Sequence, residues 1–270
     1  MRFNAAGDGS LTDNSINDQA MPLLEHLVEL RRRLLWSAIA FGLAFLICFH
    51  YSSRIYLFLA QPLAHIMRQK GEQPHLIYTA LYEAFFTYIK VAVFGASFLS
   101  FPMVATQAWI FIAPGLYRSE KRAFLPFLVA TPLLFLAGAA LAYYFVFPFA
   151  WRFFLSFQTS SGSPDQLQIQ LQAKVSEYLA LVMKLIMAFG IAFELPVVLT
   201  LCAKVGLVTS AGLKKVRRYA YVGAFVAAAI LTPPDVITQT GLAVPLIVLY
   251  EISIISARLV EPKPVLDEDS

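Results

Sequence analysis

The strongest constraint on this chain is a series of long apolar runs separated by short polar segments. Four of these runs, at residues 34–50, 84–112, 123–149 and 175–205, reach or exceed the roughly 17 residues that a helix needs to cross a bilayer. The chain is 59% hydrophobic and only 14% charged, whereas soluble domains are about 45–50% apolar and about 25% charged. An integral membrane protein is therefore predicted.

Two further apolar runs complete the series, and a tight turn separates them. The run at residues 219–231 would span only roughly 20 Å as a helix, and the last run covers residues 236–257. Residues 21–33 place leucines on one helical face and charges on the other, which predicts an amphipathic helix on the membrane surface. The predicted fold is an all-α integral membrane protein with six transmembrane helices, of which the fifth and sixth are short, and this N-terminal interfacial helix.

The remaining segments are expected to lie outside the membrane. Residues 1–20 should form a disordered tail and residues 259–270 a polar tail, because neither has apolar periodicity. Residues 51–83 are expected to form a structured external loop with a short helix at 55–59, and residues 151–174 a second external loop. Thirteen Lys and Arg residues flank the runs on the side of the termini and five on the opposite side, which predicts cytoplasmic termini.

Signatures of catalysis and of nucleic-acid binding are absent from the sequence. It contains no phosphate-binding loop, no zinc-protease motif and no nucleophile elbow. The two cysteines and four histidines lack the spacing of metal ligands, and the net charge of +4 is spread over several loops. We therefore expect a protein without enzymatic activity, cofactor, metal site or nucleic-acid partner.

The polar break at residues 109–122 (WIFIAPGLYRSEKR) is the most distinctive of the predicted cytoplasmic segments. A Pro-Gly pair stops the preceding helix, and Glu120 is the only acid among three nearby bases. In an ordinary solvated loop these bases would simply neutralise Glu120. An i,i+4 pair with Arg33 would likewise account for Glu29 in the N-terminal helix. From the residues alone, ion pairing and ligand binding are both open for the two carboxylates.

Several charged residues fall within the apolar runs, where charge is costly, and three of them are considered as candidates for a special role. Glu194 lies near the middle of the fourth run, where an ionised side chain costs on the order of 3 kcal/mol. It should therefore face protein or a water-filled cavity, or be protonated or hydrogen-bonded beside the kink at Pro196. Lys90 and Lys184 lie nearer the external ends of their helices, and their side chains are expected to extend outward.

The turn between the fifth and sixth runs is also polar. Asp235 and Gln239 stand at the start of the predicted sixth helix, and a capping role is sufficient to explain both. The alternative is that this short helix pair leaves polar groups at depth in the membrane, where they are available to the transmembrane helix of a partner.

Four separated motifs resemble the TatC family, the multispanning core of the twin-arginine protein translocase. They are EHLVELRRR at 25–33, WIFIAPGLY at 109–117 with EKR at 120–122, MAFG at 187–190 with FELP at 193–196, and LTPPDV at 231–236 with Gln239. The similarity extends from about residue 21 to residue 258 and thus covers all six predicted spans. It implies a six-helix membrane domain in the plasma membrane, with cytoplasmic termini.

The resemblance also implies a function. The family receives folded cargo proteins whose signal peptides carry two consecutive arginines, and it uses the proton-motive force. Arginine is a planar fork of donors that a carboxylate accepts in bidentate fashion, and lysine cannot copy that geometry. By position, Glu120, Glu29, Phe111 and Arg31 match the residues that form the family's signal-peptide site.

By the same resemblance, Glu194 would line a concave cavity within the membrane. Thr232, Asp235 and Gln239 would dock single-span partners of the TatA and TatB type, and the chain would associate with further copies of itself within the complex. One rival function is a secondary transporter or proton channel that uses Glu194, but the sequence lacks the matched halves of such proteins. An intramembrane enzyme would need a paired acid or a nucleophile–base set, and Glu194 has no evident partner of this kind.

Overall fold

The computed structural model describes residues 11–71, 73–112, 121–158, 172–232 and 235–261, most of which are helical. Extended pairing within these ranges is limited to one isolated bridge, between Ile77 and Lys174. The helices, in chain order, are α1 (Leu11–His50), α2 (Ser52–Gln69), α3 (Glu83–Ile112), α4 (Lys121–Leu141), α5 (Phe147–Ser156), α6 (Val175–Ala192), α7 (Leu195–Lys204), α8 (Ser210–Leu231) and α9 (Val236–Val260). A π-helical turn, Ala142–Val146, joins α4 to α5. The predicted all-α class is confirmed.

Five stretches within the described ranges are long and apolar enough to cross a membrane. They are Leu27–His50, Glu83–Phe111, Pro126–Ser156, Val175–Lys204 and Val236–Val260. Each coincides with a predicted span, although the boundaries differ by several residues. The remaining predicted span lies in α8, whose first half is basic.

The last two helices are longer than the apolar pattern indicates. The α8 helix has 22 residues, because Thr209 caps it by accepting a hydrogen bond from the Gly212 amide and the basic segment that follows is helical. Lysine and arginine are good helix formers, so the helix starts well before its apolar part. The α9 helix has 25 residues, roughly 37 Å, and the expectation of a short sixth helix was wrong.

The N-terminal helix differs from the prediction in two ways. No turn separates the amphipathic segment 21–33 from the first span, because residues 23–41 contain neither glycine nor proline and α1 runs through them unbroken. In addition, α1 begins at Leu11, inside the segment 1–20 that was expected to be a disordered tail. Residues 1–10 and most of the tail at 259–270 lie outside the described residues.

The helix expected at residues 55–59, in the predicted external loop, is the 18-residue helix α2. Its buried residues, Leu59, Leu63, Ile66 and Met67, recur at helical spacing and pack on the core. Pro62 lies inside α2 and lacks the amide that would pair with the Phe58 carbonyl. The Tyr143 hydroxyl donates to that carbonyl at 2.7 Å, so a side chain from the π-helical turn completes the α2 backbone.

Glu83 connects the N-terminal ends of α3 and α6. Its carboxylate accepts hydrogen bonds from the Thr79 amide at 2.9 Å and from the Ser176 hydroxyl at 2.6 Å. The Val175 amide also donates to the Ile77 carbonyl at 2.9 Å. These contacts set the first residues of α3 and α6 at the same level of the bundle.

Two glycines allow α4 and α6 to approach closely. A Cβ atom at Gly138 would overlap the carbonyl oxygen of Phe189, and one at Gly190 would lie 2.6 Å from the ring of Phe135. Backbone and ring are held by their own helices and cannot move away at low cost. Small residues are therefore required where these two spans cross.

We expect Gly138→Ala to lower the free energy of unfolding by about 1–3 kcal/mol, because the added methyl group forces α4 and α6 apart. The measurement is the midpoint of thermal unfolding of the purified protein in detergent. Gly223→Ala is the matched control, since a Cβ there meets nothing within 4 Å and alanine favours the helix. A Gly138→Ala protein that unfolds at the wild-type midpoint would show that the two helices do not pack this closely.

Candidate functional site

An ion pair on α1 reaches across to α3. Arg33 donates to Glu29 Oε1 from Nη2 at 2.5 Å and from Nε at 3.1 Å, so the i,i+4 pair is present. The Nη1 group of Arg33 also donates to Gln107 Oε1 at 3.2 Å. A single guanidinium therefore links the carboxylate on α1 to an amide near the end of α3.

This link sets the register of α1 against α3. The two helices pack as an antiparallel pair, and Arg33 stands opposite Gln107. One turn earlier on α1 is Glu29, and one turn later on α3 is Phe111, so these two residues lie at the same level of the bundle. Two of the predicted signal-peptide residues, 82 positions apart in the sequence, thus lie at the same end of the paired helices α1 and α3.

The other two predicted signal-peptide residues are Arg31 and Glu120. Arg31 is exposed on α1, two residues after Glu29. Glu120 falls in the segment 113–120, which lies outside the described residues. Phe111 is half-buried one residue before the end of α3, so the segment that contains Glu120 begins directly beside it.

A buried hydrogen bond supports the end of α3 from within. The indole of Trp109 is buried and donates from Nε1 to Thr131 Oγ1 of α4 at 3.1 Å. Indole is only a donor, so it occupies an acceptor site of the hydroxyl and leaves the Thr131 proton to be donated elsewhere. Val197 and Leu201 of α7 pack around the indole and enclose the pair.

Glu194 occupies the break between α6 and α7. Pro196 lacks the amide that would pair with the Ala192 carbonyl, and the helix stops and restarts there. The carboxyl group is 8% exposed, and neither oxygen has a hydrogen-bond partner among the described residues. The Thr131 side chain and the Phe135 backbone lie nearby without reaching hydrogen-bond geometry. The sequence predicts that Glu194 faces either protein or a water-filled cavity unless it is protonated or hydrogen-bonded. In the structure its side chain is buried against protein.

The three predicted docking residues are paired within the chain. Asp235 caps α9, accepting from the Thr238 amide at 2.6 Å and from the Thr238 hydroxyl at 2.5 Å. Thr232 donates to the Ala228 carbonyl of α8 at 2.8 Å. The Gln239 amide reaches the Phe225 carbonyl at 3.5 Å, a long contact that joins α9 to α8. Capping therefore accounts for Asp235, whereas Gln239 bridges two helices.

Sequence reasoning missed several residues that hold these sites in place. Gln107 and Thr131 are single polar residues in apolar runs, and their partners come from other helices. A signal did exist for Thr131, since a buried indole needs an acceptor. Glu251 of α9 accepts from Arg217 Nη2 at 2.7 Å and from the Tyr221 hydroxyl at 2.5 Å, both on α8.

Five helical stretches of membrane length within the described ranges and a buried acid within one of them define a multispanning integral membrane protein. No group of three potential metal ligands occurs in the described part of the chain. Residues 25–245 match the family model of TatC, the Sec-independent protein translocase protein. The chain belongs to the TatC family.

Relatives and a solved structure agree with this family. The chain is 54% identical over 246 residues to the Sec-independent protein translocase protein TatC of Magnetococcus marinus, covering 91% of this chain and 87% of that protein. It is 39% identical over 241 residues to the TatC protein of Escherichia coli K12, covering 89% and 90%. A crystal structure of the twin-arginine translocase receptor TatC superposes with a TM-score of 0.73 at 40% identity, covering 87% of this chain and 99% of the other.

We expect Thr131→Val to lower the free energy of unfolding by about 1–3 kcal/mol, because the buried Trp109 indole loses its acceptor. Thr131→Ser keeps the hydroxyl and should stay within about 1 kcal/mol of wild type. Thermal unfolding in detergent measures both variants. Equal midpoints for the two variants would mean that the hydroxyl does not hold the indole.

Asp235→Ala should cost about 1 kcal/mol of stability, because the first turn of α9 loses its cap. Asp235→Asn preserves an acceptor and should unfold close to wild type. The comparison of the two unfolding midpoints tests the cap. A loss of the same size in both variants would point to a requirement for the charge and not for the cap.

Proposed function

We propose that this chain is the receptor for twin-arginine signal peptides in a twin-arginine translocase. The observation that supports the proposal is the contact of Arg33 with both Glu29 and Gln107, from which Glu29 and Phe111 are inferred to lie at one level of the bundle. The solved structure that superposes on this chain is that of a twin-arginine translocase receptor. Carboxylate and aromatic side chains at one level offer the two kinds of contact that a paired-arginine peptide needs.

The recognition chemistry depends on carboxylates that can accept a guanidinium. A carboxylate offers about four acceptor sites, and Arg33 contacts one oxygen of Glu29, so this pair does not by itself prevent a second guanidinium from binding. Glu120 would supply the second carboxylate from the segment that follows Phe111. Arg31 would orient the peptide from the exposed face of α1.

The same proposal assigns roles to the residues deeper in the bundle. Glu194 would line a membrane cavity on the path of the signal peptide, and its lack of a hydrogen-bond partner supports such a role, because an unpaired buried carboxyl group reduces stability. Thr232, Asp235 and Gln239 would form the docking place for single-span TatA- and TatB-type subunits. Gln239 holds only a long contact and is the most readily redirected of the three.

In this proposal the chain is not an enzyme. It would bind the signal peptide, recruit the small subunits and other copies of itself, and depend on the proton-motive force for transport. Both termini would be cytoplasmic, and the membrane would be the plasma membrane. The excess of Lys and Arg on the side of the termini supports this orientation.

The test is the affinity of the purified protein for a twin-arginine signal peptide and for the same peptide with both arginines replaced by lysine. Wild type should prefer the arginine peptide. Glu120→Gln and Glu29→Gln should each weaken its binding by roughly tenfold or more, since a hydrogen bond to a charged group contributes about 1.5–3 kcal/mol.

Glu177→Gln is the matched control for the loss of one carboxylate, because Glu177 lies on the external end of α6 and is 78% exposed. It should bind both peptides as wild type does. Equal affinity of wild type for the arginine and lysine peptides would refute the proposed recognition. Small-solute flux through the protein reconstituted alone would instead favour a transporter that uses Glu194.

A further inference from the structure

A groove between α3 and α6 contains two lysines in an otherwise apolar lining. Lys90 of α3 and Lys184 of α6 both line it, together with Val93, Phe94, Met183 and Met187. Its volume is about 320 Å³, and it opens toward the side of the bundle. Two lysines from different helices therefore line one apolar groove with their aliphatic stems, and each carries a positive charge beside it.

The depth of the groove follows from the contacts that align α3 and α6. Glu83 and Val175 start the two helices at one level, so Lys90 lies about 10 Å and Lys184 about 14 Å along its helix from that level. The spans that contain them have 29 and 30 residues, about 45 Å, against roughly 30 Å of hydrocarbon. Each span is thus longer than the hydrocarbon layer. When this extra length is divided equally between the two ends of a span, the two lysines lie just inside the boundary between headgroups and acyl chains.

The charge of this groove is not balanced by the protein. No acidic residue lines it among the described residues, and Glu83, the nearby acid at the start of α3, already accepts from Thr79 and Ser176. The Lys184 side chain is exposed, and its ammonium donates to the Ile230 carbonyl at the end of α8, at 3.1 Å. An ammonium has three donors, so this bond leaves two for another acceptor.

We propose that the groove binds the phosphate of an anionic phospholipid from the leaflet at which α3 and α6 begin. Lys90 and Lys184 hold the phosphate from two sides, and an acyl chain lies along Val93, Phe94, Met183 and Met187. Two positive charges above an apolar surface match an amphiphile with a negative head. The bound lipid also covers the step where α8 ends beside α6, because Lys184 contacts both the lipid and Ile230.

The test is native mass spectrometry of the detergent-purified protein titrated with phosphatidylglycerol. We expect wild type to retain this lipid, and the double variant Lys90→Gln/Lys184→Gln to need at least fivefold more lipid for the same occupancy. Phosphatidylcholine, whose choline cation faces the lysines, should bind wild type more weakly than phosphatidylglycerol. Inorganic phosphate at millimolar concentration should not displace the lipid, and its displacement would mean that a free anion is the ligand.

Controls separate this site from general charge attraction and from misfolding. Lys214→Gln/Lys215→Gln removes two exposed charges from α8 and should retain the lipid as wild type does. Lys90→Arg/Lys184→Arg keeps both charges and should also retain it. If the double glutamine variant does not fold, Lys90→Gln alone should weaken retention about threefold. Wild-type retention in a folded glutamine variant, or an equal loss in the α8 control, overturns the proposal.

Discussion

Hydrocarbon offers no hydrogen bonds, and this single property of the solvent governs how the bundle is built. Each backbone group that a proline or a helix end releases must find a partner inside the protein. The carbonyl that Pro62 leaves in α2 takes the Tyr143 hydroxyl. The carbonyl of Ile230, at the end of α8, takes the Lys184 ammonium. Side chains of one helix thus donate hydrogen bonds to unpaired backbone carbonyls of another. These hydrogen bonds help to determine how the helices pack.

The two ends of the bundle are closed in different ways. At the end where α3 and α6 begin, the carboxylate of Glu83 accepts hydrogen bonds from the loop before α3 and from the start of α6, so its hydrogen-bonding capacity is used within the fold. At the opposite end, the carboxylate of Glu29 pairs with Arg33, whose guanidinium also reaches Gln107 of α3. Glu83 therefore connects α3 to α6 through several hydrogen bonds and an ion pair with Lys174, whereas the ion pair of Glu29 connects α1 to α3 through Arg33.

Glu194 departs from the rule that polar groups are satisfied. Its two oxygens are buried without partners in the described part of the chain, although Thr131 lies near and is itself engaged by Trp109. Such a group reduces stability, and a protein retains it where another molecule or a water-filled cavity provides the missing partner.

The sequence by itself determined the class of fold and most of the spans. The length of an apolar run is a local property of the sequence, and it must match the thickness of the hydrocarbon layer. The TatC motifs likewise identified Glu29 and Phe111 as candidates without any coordinates. Other features needed the tertiary structure. The unbroken α1 and the full length of α8 depend on helix propensity continuing through charged segments, which hydrophobicity alone does not show. The pairing of Arg33 with Gln107, of Trp109 with Thr131 and of Lys184 with Ile230 joins residues 22 to 74 positions apart, and only packing decides which distant groups meet.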